Sequence, residues 1–177
     1  EPAMDTLLLA RLQFATTTSI HFLFVVVTLG LVTLLVGIQT AWVVTGNPKY
    51  ERLTRFWGQL YVINYVLGIA TGIVMEFQFG LNWSGLSRYV GNVFGAPLAI
   101  ETLVAFFLES TFLGMWIFGW HRLRRGVHLA LLWGVALTAY ASAFWIMVAN
   151  SWLQNPVGYE VRDGIAHLTD FSALLTN

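Results

Sequence analysis

The sequence predicts an all-α integral membrane protein: four transmembrane helices in an antiparallel bundle, with the N-terminus outside. Three observations carry this. The 177 residues are 57% hydrophobic and only 10% charged, with a mean hydropathy of +0.69, whereas a soluble domain carries about 25% charged residues. Four apolar runs are each long enough to cross a hydrocarbon core of roughly 30 Å. Six of the nine Lys and Arg residues fall in the first and third connections between those runs, the alternation that the positive-inside rule requires.

The bundle is expected over residues 1–156, with spans at about 14–45, 58–77, 97–120 and 128–152. Glu1-Pro2-Ala3 before Met4 reads as a processing or cloning remnant, and no cleaved signal peptide is recognisable because no basic segment precedes a short apolar core. Residues 4–16 form an interfacial lead-in to the first span, which Gly46-Asn47-Pro48 ends with turn chemistry. The second span centres on Leu60–Met75, with Asn64 inside, Glu76 at its far end, and Trp57 and Tyr61 in an aromatic belt. Residues 77–96, rich in Gly, aromatics and amides, are expected as an ordered interfacial loop, after which Pro97 opens the third span at its first turn. His121 to His128 form a tight basic turn, and the fourth span ends at Gln154-Asn155-Pro156. The polar residues 157–177 are an extramembrane tail.

Composition also excludes functions. The net charge is zero, so no nucleic-acid partner is indicated. With no cysteine, the chain has no disulfide, thiolate metal site or thioether-linked haem.

Lys49, Arg52, Arg55, Arg122, Arg124 and Arg125 place the first and third connections in the cytoplasm. His21, Glu76 and Glu101 then share a layer near the outer face, with Arg11 above them, and Glu109 and Ser142 share a deeper one. Glu101 and Glu109 are eight residues apart, so on a regular helix the second lies about 80° around and about 12 Å further along. A carboxyl at membrane depth costs roughly 2.5–3.5 kcal/mol on insertion scales. Such a pair suits a proton path or a buried polar site; the alternative is a structural hydrogen-bond network between helices.

His21 is the one histidine inside a predicted span, which would exclude a haem held by two histidines between these helices. It could serve as a haem axial ligand, a structural hydrogen bonder or a proton relay. His121 and His128 read as solvated residues of the basic turn, and His167 as an exposed tail residue. Arg11 suits either a haem propionate or a lipid headgroup. Gly68 and Gly72 form a small-residue face for close helix contact.

Several blocks resemble subunit I of the bacterial cytochrome bd quinol oxidases. They are Arg11-Leu-Gln-Phe14, His21-Phe-Leu-Phe24 with Thr28-Leu-Gly30, Gly72 to Gly80 with Asn82-Trp-Ser84, Phe94 to Glu101, Ala105 to Phe112, and Val148-Ala-Asn150 with Gln154-Asn-Pro156. The resemblance runs from about Arg11 to Pro156 and implies the N-terminal four-helix part of that subunit. It implies a multi-pass protein of the bacterial cytoplasmic (inner) membrane, part of a terminal oxidase that oxidises membrane quinol and reduces O2 to water. The implied cofactors are haem d and a high-spin haem b at the site this segment touches, with a low-spin haem b in the remainder of the subunit. Implied partners are that remainder, a second oxidase subunit and, optionally, a small accessory subunit, within the lipid bilayer.

By the same resemblance His21 matches an axial ligand of a high-spin haem iron. Glu101 and Glu109 match acids lining the high-spin haems and the cytoplasmic proton path. Ser142 matches a polar residue on that path, and Arg11 and Glu76 match residues beside the haem region. The low-spin ligands and the quinol-binding loop are expected beyond the fourth helix. Val26, Gln59 and Thr102 depart from the residues common in the family, which points to a divergent branch with its ligands retained. Two rival classes remain: a proton- or ion-conducting bundle, and a non-catalytic assembly subunit.

Overall fold

The structure, a computed structural model, describes residues 5–177, apart from the side chains of Val104 and Ala105. Residues 1–4, on which the remnant reading falls, lie outside the described residues. Helix α1 (Thr6–Thr45) and helix α2 (Pro48–Gly80) are joined by a two-residue turn. Gly46 takes a left-handed φ of 67°, and its N–H closes α1 on the carbonyl of Trp42. Asn47 caps α2 by accepting the N–H of Lys49 at 2.9 Å, and Pro48 starts that helix. At 40 residues, α1 is about 60 Å long, so it extends well past a hydrocarbon core.

The third crossing differs from expectation. Residues 84–100 are not a loop: they form helix α3 (Ser84–Ile100), which runs through Pro97 into a π-helical segment (Glu101–Phe106) and then helix α4 (Phe107–Gly119). The reason is burial. Val90, Val93 and Phe94 recur at helical spacing and face inward, whereas Gly85, Gly91 and Gly95 face open space. Pro97 therefore sits inside a helix. It can donate no N–H to the turn before it, and four residues later the helix widens. Glu101 begins the widened turn, its N–H shared between the carbonyls of Leu98 and Pro97.

Helix α5 (Arg125–Gln154) completes the four helices among the described residues that are long and apolar enough to cross a membrane. A hairpin follows: strand β1 (Tyr159–Arg162) pairs antiparallel with strand β2 (Ile165–Leu168). Its tip is Asp163-Gly164, both with positive φ (52° and 76°), as a two-residue hairpin turn requires. A short helix α6 (Phe171–Leu175) ends the described chain.

Two cores hold the fold. Val32, Leu35, Val36, Tyr61, Leu113, Trp116, Leu132, Val135 and Ala136 lock α1, α2, α4 and α5 together. Val90, Val93, Phe94, Val148, Ala149 and Trp152 meet Ala166 and Leu174, joining α3 and α5 to the hairpin and α6. Large apolar residues elsewhere face outward, among them Phe22, Phe77, Phe118 and Leu137, which suits lipid or further protein as surroundings.

The basic residues gather as predicted. Arg55 of α2 lies 4.1 Å from the ring centre of Trp120, and Arg125 lies 5.1 Å from that of Trp42. One end of the bundle thus carries both basic connections. At the other end Asn82, in the turn after α2, donates to Gln13 of α1, and β2 packs on α3.

His128 corrects the expectation of a solvated side chain. It is 2% exposed and closes a circuit between three helices. Its Nε2–H donates to the Trp116 carbonyl at 2.8 Å, the Gln39 amide donates to its Nδ1 at 2.9 Å, and the Trp116 indole donates to Gln39 Oε1 at 2.9 Å. So a second histidine does lie within the bundle, but both its nitrogens are occupied. His121 is exposed, as expected.

Candidate functional site

Polar residues line the seam between α1 and α2 at intervals of about one turn or two. Gln78 donates to Thr17 at 3.0 Å, and Asn64 donates to Thr28 at 2.7 Å and to the Phe24 carbonyl at 3.0 Å. His21 sits between these pairs, half-buried against α2. Its Nδ1 lies 3.1 Å from the Gly68 carbonyl and 3.1 Å from Thr71 Oγ1. A carbonyl can only accept, so Nδ1 carries the proton and the lone pair is on Nε2.

Gly72 makes the close approach possible. A methyl there would stand 2.9 Å from Cε1 of His21 and 3.6 Å from Nε2. The small-residue face of α2 is therefore not only a helix contact, because it also seats the imidazole.

The two acids belong to different pairs. Glu101, partly buried at the start of the π segment, accepts the Ser142 hydroxyl at 2.6 Å on Oε1 and the Thr102 hydroxyl at 3.1 Å on Oε2. Glu109, 5% exposed, accepts the Tyr61 phenol at 3.3 Å. Ser142 thus pairs with Glu101, correcting its predicted layer with Glu109. The physical cause is where the third crossing begins: its helix starts at Ser84 rather than Pro97, which sets Glu101 deeper than a span opening at Pro97 would and level with Ser142.

Arg11 and Glu76 are exposed, and neither takes part in the ion pairs among the described residues, Glu51–Arg55 and Glu160–Arg162. Tyr61 was expected in an aromatic belt, yet it is fully buried and bound to Glu109. Its neighbour one turn on, Tyr65, hydrogen-bonds to Ser110 at 2.8 Å. The i, i+4 spacing of two tyrosines around Asn64 in an apolar helix was the available signal. Two open grooves of about 410 and 550 Å³ lie along α1, lined by residues such as Thr33, Gly37 and Tyr140, and include none of these acids or His21.

Four apolar crossings with an imidazole and two acids turned inward define a multi-pass membrane protein with a built polar interior. The sequence profile of the cytochrome bd terminal oxidase subunit I family matches residues 9–177, and the chain belongs to that family. It is 52% identical over 174 residues to the cytochrome bd ubiquinol oxidase subunit 1 of Bacillus subtilis, covering 98% of this chain and 37% of that protein. It is 53% identical over 175 residues to the cytochrome bd-II ubiquinol oxidase subunit 1 of Escherichia coli, covering 98% of this chain and 34% of that protein. The solved bd oxidase of Geobacillus thermodenitrificans superposes with a TM-score of 0.90 at 30% identity, over 98% of this chain and 40% of that one. The chain therefore spans between a third and two fifths of the length of these relatives.

Proposed function

We propose that this chain forms the N-terminal, haem-carrying part of a terminal oxidase of the bacterial cytoplasmic membrane, which oxidises a membrane quinol and reduces O2 to water. The observation that carries the proposal is the contact of His21 Nδ1 with the Gly68 carbonyl. With Nδ1–H committed to the Gly68 carbonyl at 3.1 Å, Nε2 keeps its lone pair for another partner. A neutral imidazole oriented by a carbonyl is the donor that haem iron takes. The residues thus fit a high-spin haem, of the d or b type, which when bound would supply the electron transfer to oxygen.

The chain's own residues would deliver protons. The basic end of the bundle faces the cytoplasm by the positive-inside rule, which leaves the N-terminus and the hairpin outside. A proton entering from that end would meet Glu109 first and then Glu101. Ser142 and Thr102 hold both oxygens of Glu101, so the carboxyl is oriented while it gains or loses its proton. No hydrogen bond among the described residues joins the two acids, so water would bridge them. Arg11, exposed near the outer end of α1, would pair with a haem propionate. Uptake from inside, with quinol protons released outside, would build a membrane potential without a pump.

The low-spin haem b, the quinol site, the second oxidase subunit and any small accessory subunit belong to the rest of the assembly. The test uses the complete oxidase. His21→Ala should abolish the high-spin haem bands. Glu109→Gln should keep the haem bands and slow oxygen uptake. Unaltered bands in the His21 variant would refute its ligand role, and a colourless wild-type protein would favour a conducting or assembly subunit instead.

A further inference from the structure

The polar interior contains a pair of phenols that the proton path just proposed does not use. Tyr61 and Tyr65 lie one turn apart on α2, stacked with ring centres 6.0 Å apart and planes 23° from parallel. Both face α4, where consecutive residues receive them: Tyr61 donates to Glu109 Oε1 at 3.3 Å, and Tyr65 shares a 2.8 Å hydrogen bond with Ser110. Tyr61 has no exposed surface and Glu109 only 5%. Water reaches this phenol poorly, so its hydroxyl needs a protein acceptor, and Glu109 is the one it has.

We infer that Tyr61 is a positioning residue for Glu109, and that Tyr65 braces both by holding Ser110 and stacking on Tyr61. This rests on the proposed role of Glu109 in proton delivery. The chemistry is specific. A phenol donating to one carboxyl oxygen fixes the plane of the group and leaves Oε2 without a protein partner among the described residues, free to exchange a proton with the path.

The experiment compares Tyr61→Phe, Tyr65→Phe and Glu109→Gln in the complete oxidase. Phenylalanine keeps the ring and removes only the hydroxyl. In Tyr61→Phe the haem bands should be unchanged. The infrared carboxyl stretch that disappears in Glu109→Gln should move to higher frequency, as for a C=O that has lost a donor. Tyr65→Phe should give a smaller shift of the same sign. If Glu109→Gln slows uptake but Tyr61→Phe leaves the stretch as in wild type, the positioning role is overturned while proton delivery by Glu109 stands. If Glu109→Gln itself leaves uptake unchanged, the path proposal fails first, and an unmoved stretch in Tyr61→Phe then overturns the hydrogen bond as well.

Discussion

Gly72→Ala tests the seat of His21 with one methyl group. The added carbon would stand 2.9 Å from Cε1, 3.4 Å from Nδ1 and 3.6 Å from Nε2 of the imidazole. Carbon contacts settle at about 3.5 Å or more, so the ring must retreat by roughly half an ångström. It cannot do so and keep its bond to Gly68, because that bond already measures 3.1 Å; at about 3.6 Å it is no longer a hydrogen bond. Losing it costs about 0.5–1.5 kcal/mol, and the overpacking costs about 1–3 kcal/mol. Released from Gly68, the ring also loses the contact that fixes its tautomer, and removing such an orienting partner typically lowers metal affinity by about 10- to 100-fold. The assay is haem content per protein and the optical spectrum of the purified oxidase, measured alongside Gly30→Ala, where an added methyl meets nothing within 4 Å. Reduced haem retention in Gly72→Ala alone is the expected result. Wild-type content and bands in Gly72→Ala would refute the account of how α2 seats His21.

Other sites give separate outcomes. Ser142→Ala removes the 2.6 Å donor to Glu101 and should slow oxygen uptake while leaving haem content intact; unchanged turnover would remove Ser142 from the path. Gln39→Leu strands both the Nδ1 of His128 and the indole N–H of Trp116 inside the bundle, and should lower the thermal midpoint through a loss of about 1–3 kcal/mol per orphaned group, with no change in the haem bands. Asp170 caps α6, and the Ser172 hydroxyl and then the Ala173 N–H hold its carboxyl below the usual carboxylate range. The cap is thus intact above the ordinary carboxylate value and is lost as pH falls through the lowered one. Protection of the Ser172 and Ala173 amides, taken relative to their intrinsic exchange rates, should fall on acidification, and that fall should be absent in Asp170→Ala.

The four crossings were legible because lipid demands long apolar runs and the basic residues alternate between connections. His21 was legible as an isolated imidazole in such a run. What stayed hidden depended on partners distant in sequence. The helix over 84–100 reads as a loop by its glycines and amides, and Val90, Val93 and Phe94 acquire a reason to line up only when Ala166 and Leu174 cover them. His128 sits beside four charged or turn residues, but its burial is decided by Gln39, 89 positions away. The third crossing was expected to open at Pro97 but its helix starts at Ser84, so Glu101 was placed too near the surface and Ser142 was grouped with the wrong acid. Tyr61 looked like an interfacial aromatic because tyrosines usually are, and only the approach of α4 reveals its acceptor.

The hairpin that follows α5 has a consequence for biogenesis. It covers the inner face of α3, yet about 70 residues of chain separate Phe94 from Ala166. At roughly 5–20 residues per second on the ribosome, that face waits about 4–14 s before its cover exists. During the interval the third crossing must be sheltered by the insertion machinery or by lipid. A nascent chain stalled between the fourth helix and the hairpin should therefore be unusually open to proteases or crosslinkers acting at residues 84–100.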